Sequence, residues 1–276
     1  MVSQRIVTVG NLKIGNHLPF TLIAGPCVIE SEKSALLAAE KLKRIAEDLN
    51  IGLIYKSSYD KANRSSIKSF RGIGMRRGLS ILNKVRNKFG LPVVSDVHNE
   101  MEIPAAGAEL DVIQIPAFLC RQTDMLIAAA RTGKTINIKK GQFMAPWDMA
   151  KVAEKVVASG NERVMLTERG TSFGYNNLIN DFRGLAIMAK HGFPVIYDAT
   201  HSVQLPGAMG ESSGGERQYV PALSRAAVAV GVAGIFLEVH PDPDKAPCDG
   251  PNMLKLKDLP KLLEGLQQID RLVKNI

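Results

Sequence analysis

Aromatic residues are scarce in this 276-residue chain, at 5%, and there are only three cysteines. Few aromatics, with basic clusters no longer than Arg76-Arg77 and Lys139-Lys140, speak against a nucleic-acid interface, which concentrates basic residues and interleaves stacking rings. Cys27, Cys120 and Cys248 are too scattered for a disulfide framework or a CxxC zinc knuckle, and their odd number suits a reducing compartment. Long apolar runs are missing too. The longest, Ala226 to Leu237, contains Gly231 and Gly234 and is too short to span a bilayer. The opening MVSQRIVTVGNLKIG has neither an apolar core segment nor a small-residue cleavage site. No GxGxxG or GxxxxGK(S/T) occurs, which argues against an open nucleotide-binding sheet. The expectation is a cytoplasmic protein with neither membrane nor nucleic acid as partner.

What is present is a repetition. Eight short apolar runs each stop at a charged or polar side chain: TLIAGPC, GLIYKSS, PVVSDVH, DVIQIPA, TINIKKG, RVMLTERG, PVIYDATH and GIFLEVH. Runs of this length, rich in Val, Ile and Leu, suit strands buried on both faces, as in a parallel sheet. Segments with helical spacing lie between them. SEKSALLAAEKLKRIAEDL opens on Ser31 as an N-cap, MRRGLSILNKVRNKFG ends on Gly90 ahead of Pro92, and a shortened helix falls near Met101 to Ala108. Eight βα units joined by right-handed crossovers predict an α/β fold, a single (β/α)8 TIM barrel spanning residues 1–276. RIVTV and LKI, with Gly10-Asn11 and Gly15-Asn16 turn signals, predict an N-terminal β-hairpin over residues 1–20 that caps the barrel bottom.

Polar groups gathered at one pole of a barrel mark its active site, because burying them elsewhere is costly. The net charge is +8, and several cations sit at strand ends, so the partner expected is a small phosphorylated or carboxylated substrate. The loop after the second run, Lys56 to Ser66, holds Lys61, Asn63, Arg64 and Ser65 among its donors, a density suited to phosphate and sugar hydroxyls. Lys139 and Arg169 would stand at the barrel mouth, where an unpaired cation needs an anion. The segment LPGAMGESSGG, Leu205 to Gly215, offers amides and serine hydroxyls for a phosphate. Cys27, His201, Glu238 and Asp249 fall at or just after the ends of the first, seventh and eighth runs. This mixed thiolate, imidazole and carboxylate set suits Fe(II), Zn(II), Mn(II) or Co(II). His240 is placed to support a neighbouring ligand. Phe143, Met144 and Trp147 are read as packing, and His98 and His191 receive no role.

AGPCVIES, KSSYDKANRSS, SDVH, IQIPAFLCRQTD, NIKKGQF, TERGTSFGYNNL, YDATHSVQLPG, SSGG and EVHPDP together resemble the 3-deoxy-D-manno-octulosonate 8-phosphate synthase family. KANRSS is the discriminating stretch, since synthases using erythrose 4-phosphate typically carry Lys-Pro-Arg-Thr in that loop; 3-deoxy-D-arabino-heptulosonate 7-phosphate synthesis is the alternative. The resemblance implies condensation of phosphoenolpyruvate with D-arabinose 5-phosphate in lipopolysaccharide biosynthesis. It implies that Lys56, Lys61, Gln114, Lys139 and Arg169 hold phosphoenolpyruvate. Asn63, Arg64 and Ser65, with Ser213, would hold arabinose 5-phosphate, and Asp96 would lie near the reacting end of the sugar. Cysteine at position 27 is similar to the metal-dependent branch, with Cys27, His201, Glu238 and Asp249 as ligands. Cys248-Asp249-Gly250-Pro251 resembles the metal-independent branch, so the signature is mixed. A homotetramer is implied, with AFLCRQTD near its interface.

Overall fold

In the computed structural model of this protein, residues 3–64, 66–207 and 214–276 are described. Ser65 and Ser213, both read from the sequence as substrate ligands, lie outside the described residues, as does most of LPGAMGESSGG.

In chain order the strands are β1 (Val7–Val9), β2 (Leu12–Ile14), β3 (Thr21–Gly25), β4 (Leu53–Lys56), β5 (Val93–Asp96), β6 (Val112–Ile115), β7 (Thr135–Lys139) and β8 (Val164–Glu168). A short hairpin, β9 (Thr171–Ser172) and β10 (Leu178–Ile179), precedes β11 (Val195–Asp198). The two-residue strands β12 (Gln204–Leu205) and β13 (Gly214–Gly215), then β14 (Gly234–His240) and β15 (Leu254–Lys255), complete the set. β3 to β8, β11 and β14 pair in parallel around a ring that closes where β11 meets β14. The expected (β/α)8 barrel is therefore formed.

The helices between the strands carry the predicted end signals. Ser31 caps the helix Glu32–Asp48, its hydroxyl accepting from the Ser34 amide while the Ser34 hydroxyl accepts from the Ser31 amide. Gly90 ends the helix Met75–Phe89 with φ 67°, a left-handed conformation that costs other residues about 1 kcal/mol or more. The shortened third helix is a 3-10 turn at Glu100–Glu102 running into Ile103–Glu109. Among the described residues no helix is long and apolar enough to cross a membrane.

Every residue of the eight barrel strands is buried except His240, which is half-buried. One face of each strand meets the surrounding helices in the main apolar cluster. On the other, Ile23, Ile54, Val94, Val112, Met165, Ile196 and Phe236 fill the lower barrel interior together with Val7, Val9 and Ile14 of the hairpin. The hairpin thus closes the bottom and leaves the opposite pole as the mouth. Gly25 at the end of β3 has a steric reason to lack a side chain, since an added Cβ would overlap the Lys56 backbone carbonyl.

Candidate active site at the barrel mouth

The mouth opens into a cavity of about 230 Å³. Lys56, Lys61, Asn63 and Arg64 line it from β4 and the loop beyond; Asp96, Gln114, Lys139 and Arg169 line it from the ends of β5 to β8. His201 and Asp249 complete one wall. Cys27 and Glu238 are buried beside it, 1% and 0% exposed. The described residues predicted for the site thus converge from sequence positions more than two hundred residues apart.

Burial decides how these charges behave. Lys56 Nζ donates to Glu238 Oε1 at 2.6 Å and to the Cys27 carbonyl at 3.1 Å. Lys61 Nζ stands 3.7 Å from the same Glu238 oxygen. Burial alone would raise the Glu238 carboxyl, but Lys56, Lys61 and His201 hold it well below the usual carboxylate range. Lys139 is the counterpart across the cavity. From sequence it is a cation without a partner; the structure corrects this by pairing its Nζ with Asp198 Oδ2. Burial pushes Lys139 down to about 8, with Asp198 offsetting part of the shift. Asp198 itself would be raised by burial, but His201 and Lys139 hold it far below its ordinary value.

Among the described residues, two donors face the cavity without a protein acceptor. Arg169 Nη2 is engaged by Gln204 Oε1 at 2.9 Å, while its Nη1 is buried with no hydrogen bond. Gln114 Oε1 accepts from Asn137 Nδ2 at 3.0 Å, and Thr167 donates to Asn137 Oδ1 at 2.6 Å. That chain fixes the Gln114 amide and leaves its NH2 to a bound molecule. An anion satisfies both donors.

Asp96 is held by a network that the sequence did not reveal. Ser58 Oγ donates to Asp96 Oδ1 at 2.5 Å, and His98 Nε2 lies 3.2 Å from Oδ2. The other His98 nitrogen is 3.1 Å from Glu102 Oε2, which also accepts from Tyr59 Oη at 2.6 Å. Burial works against a charged His98, yet Asp96 and Glu102 raise its pKa above the ordinary value. Asp96 is driven up by burial and held well down by His98, Lys61 and Lys56. His98, left without a role from sequence, therefore orients Asp96; its place two residues after a strand-end acid was the available signal.

Donor atoms that can hold a metal gather around Asp249. His201, Glu238 and Asp249 form one group and Cys27, Cys248 and Asp249 another, the atoms within each lying within 4.8 Å of one another. Asp249 Oδ2 is 3.0 Å from Cys27 Sγ and 3.9 Å from His201 Nε2, which is 3.7 Å from Glu238 Oε2. Three observations fit a cation here. Among the described residues, Glu238 Oε2 is buried with no hydrogen-bond partner. His201 Nδ1 contacts Asp198 Oδ2 at 2.7 Å, so donation to that carboxylate frees Nε2 as a ligand. Asp249 takes the left-handed φ of 51°, unusual for a residue with a side chain.

Two other expectations are corrected, and two residues of the site were missed. His240 contacts Glu30 Oε1 at 3.0 Å and accepts from the Asp242 amide, so it supports no residue of the metal group. Of the three residues read as packing, Met144 is buried, whereas Phe143 and Trp147 are 58% and 60% exposed. Asp198 and Gln204 were not singled out as site residues, yet both line the cavity. Asp198 was visible as a strand-end acid; Gln204 carried no signal.

Residues 3–275 match the DAHP synthetase I family. A protein of Geobacter metallireducens named 2-dehydro-3-deoxyphosphooctonate aldolase is 60% identical over 98% of this chain and 99% of its own length. Proteins of the same name from Magnetococcus marinus and Granulibacter bethesdensis are 60% and 57% identical, covering 99% and 98% of this chain and 95% and 96% of their own.

Proposed function

The chain belongs to the DAHP synthetase I family, and we propose that within it the chain condenses phosphoenolpyruvate with D-arabinose 5-phosphate and water to 3-deoxy-D-manno-octulosonate 8-phosphate and phosphate. The observation that carries this is near-60% identity, over almost the whole of both chains, to proteins named for the 2-dehydro-3-deoxyphosphooctonate product. The heptulosonate alternative is disfavoured by the same relatives. With purified protein, phosphate release should be fast with arabinose 5-phosphate and slow with erythrose 4-phosphate; the reverse order refutes the reading.

In this reading the carboxylate and phosphate of phosphoenolpyruvate lie among Lys56, Lys61, Gln114, Lys139 and Arg169. Free Arg169 Nη1 and the Gln114 amide supply hydrogen bonds that only an occupied site completes. Arabinose 5-phosphate lies toward Asn63, Arg64 and Ser65, with Ser213 at its phosphate and Asp96 near the aldehyde. C3 of phosphoenolpyruvate bonds to the aldehyde carbon, water adds at C2, and phosphate leaves with cleavage of its bond to C2. The cations lower the repulsion between two anionic substrates and fix the distance between the reacting carbons. Asp96, kept ionised and oriented by Ser58 and His98, is placed to accept a hydrogen bond from a sugar hydroxyl.

Cys27, His201, Glu238 and Asp249 would hold a divalent metal, Fe(II), Zn(II), Mn(II) or Co(II) by donor chemistry. Such an ion supplies Lewis-acid stabilisation to oxygen during the condensation. Asp198 keeps the imidazole of His201 in the tautomer that ligation needs. Treatment with a chelator should remove activity, and Mn(II) or Co(II) should restore it; full activity at a metal content of zero refutes a metal requirement. A homotetramer, with AFLCRQTD near its interface, is part of the proposal.

A further inference from the structure

Cys248 Sγ lies 2.7 Å from Cys27 Sγ. Ordinary nonbonded contacts between heavy atoms fall at about 3.5–4.0 Å, and a disulfide bond is about 2.05 Å long. The two sulfurs are thus already inside contact distance, and less than an ångström of movement would join them. Both are held in place. They pack with Val28 and Met253 in a small buried cluster, and amides of Asn252 and Met253 bind the Asp249 carbonyl immediately after Cys248. Cys120 belongs to the separate main core.

Access to the pair does not run through the barrel mouth. A second cavity, about 330 Å³, is lined by Cys248 with Asp244, Pro247 and Pro251. Asp249 and Arg64 line both cavities, whereas Cys248 lines only the second. A small solute can therefore approach Cys248 without crossing the space where substrates would sit.

We propose that Cys27 and Cys248 are a redox pair, which in the metal-free protein closes to a disulfide on meeting a peroxide and so withdraws Cys27 from the metal set. The Cys248 sulfur attacks one oxygen of hydrogen peroxide, the O–O bond breaks, and Cys248 sulfenic acid and water result. Cys27 Sγ then attacks the Cys248 sulfur. The S–O bond breaks, and the departing hydroxyl takes the Cys27 proton as a second water. Two thiols and one peroxide give one disulfide and two waters, the two electrons passing from sulfur to the peroxide oxygens. A bound metal would engage the Cys27 sulfur and protect the pair. This consequence and the loss of Zn(II) uptake rest on the metal reading above; the sulfur chemistry stands apart from it.

The test uses the full chain, chelator-treated, exposed to hydrogen peroxide and read by intact mass and peptide mapping. The expected product is lighter by about 2 Da, has one free thiol in place of three, and joins the Cys27 and Cys248 peptides. Dithiothreitol should restore all three thiols. Uptake of Zn(II), measured by atomic absorption and not by activity, should drop at least roughly tenfold in the oxidised protein and return on reduction. Cys27→Ser should form no cross-link and should gain oxygen at Cys248, Cys248→Ser should form no cross-link and gain no oxygen at Cys27, and Cys120→Ser should cross-link as the parent does. Oxygen addition of about 16 or 32 Da without a cross-link, or a cross-link through Cys120, overturns the proposal. A Cys27–Cys248 cross-link that leaves Zn(II) uptake unchanged overturns the withdrawal of Cys27. A cross-link in protein whose reduced, metal-reloaded form lacks synthase activity would refute the proposed reaction while supporting the redox pair.

Discussion

Two layers of the barrel interior are built from the same strands and differ in everything except position. The lower layer is Ile54, Val94, Val112, Ile196 and Phe236, packed on the hairpin. Two residues further along those strands stand Lys56, Asp96, Gln114, Asp198 and Glu238. Strand residues i and i+2 share a face and lie about 7 Å apart, so the interior turns from apolar to ionic within one step. The contrast shows what the lower layer is for. It excludes water beneath the charges, and in that environment each ion pair interacts more strongly than it would at the surface. Phe236 joins the layers directly, its ring centroid 3.3 Å from Lys139 Nζ and 5.9 Å from that of His201.

The division can be broken from above or from below. From above, Glu238→Ala strands Lys56 as a buried cation and should cost about 3–5 kcal/mol in urea unfolding, with loss of turnover. The double variant Lys56→Met/Glu238→Leu should recover most of that stability and none of the activity. Recovery of both would mean that the upper layer serves only the fold. From below, Met165→Ala removes volume from a fully buried site and should cost about 2–5 kcal/mol. Its KM for both substrates should not change; a raised KM would show that the layers are not separable.

The smallest effect is a fraction of a proton. Lys139 is pushed down to about 8 by burial, so above that pH it loses its charge in the free site. A bound anion favours the charged form, and binding of phosphoenolpyruvate at pH 8.5 to 9 should therefore take up a proton. Titration calorimetry in two buffers of different ionisation enthalpy measures that uptake. At about pH 6.5, where Lys139 is already protonated, its contribution should vanish. Equal uptake at both pH values would assign the proton to another group.

Much of the site was legible because it is made of strand ends. Lys56, Asp96, Gln114, Lys139 and Glu238 each close or nearly close an apolar run, and in a parallel barrel all such ends meet at one pole. Partnerships were not legible. Lys139 reads as an isolated cation until β11 brings Asp198 to it across 59 positions. His98 reads as an ordinary loop histidine until Glu102 and Tyr59 are seen on its far side. Cys248 reads as one of three scattered thiols until the loop after β14 folds it against Cys27.

The sequence by itself determined the barrel, the hairpin beneath it and the charged character of the mouth, because strand and helix periodicity are local properties carried by neighbouring residues. Only the tertiary structure decided which cation answers which acid, which face of Gln114 is free, and that Asp249 stands between a thiol pair and an imidazole. Those choices depend on contacts across tens to hundreds of residues. Burial then magnifies them, because each partner sets the charge the other can hold.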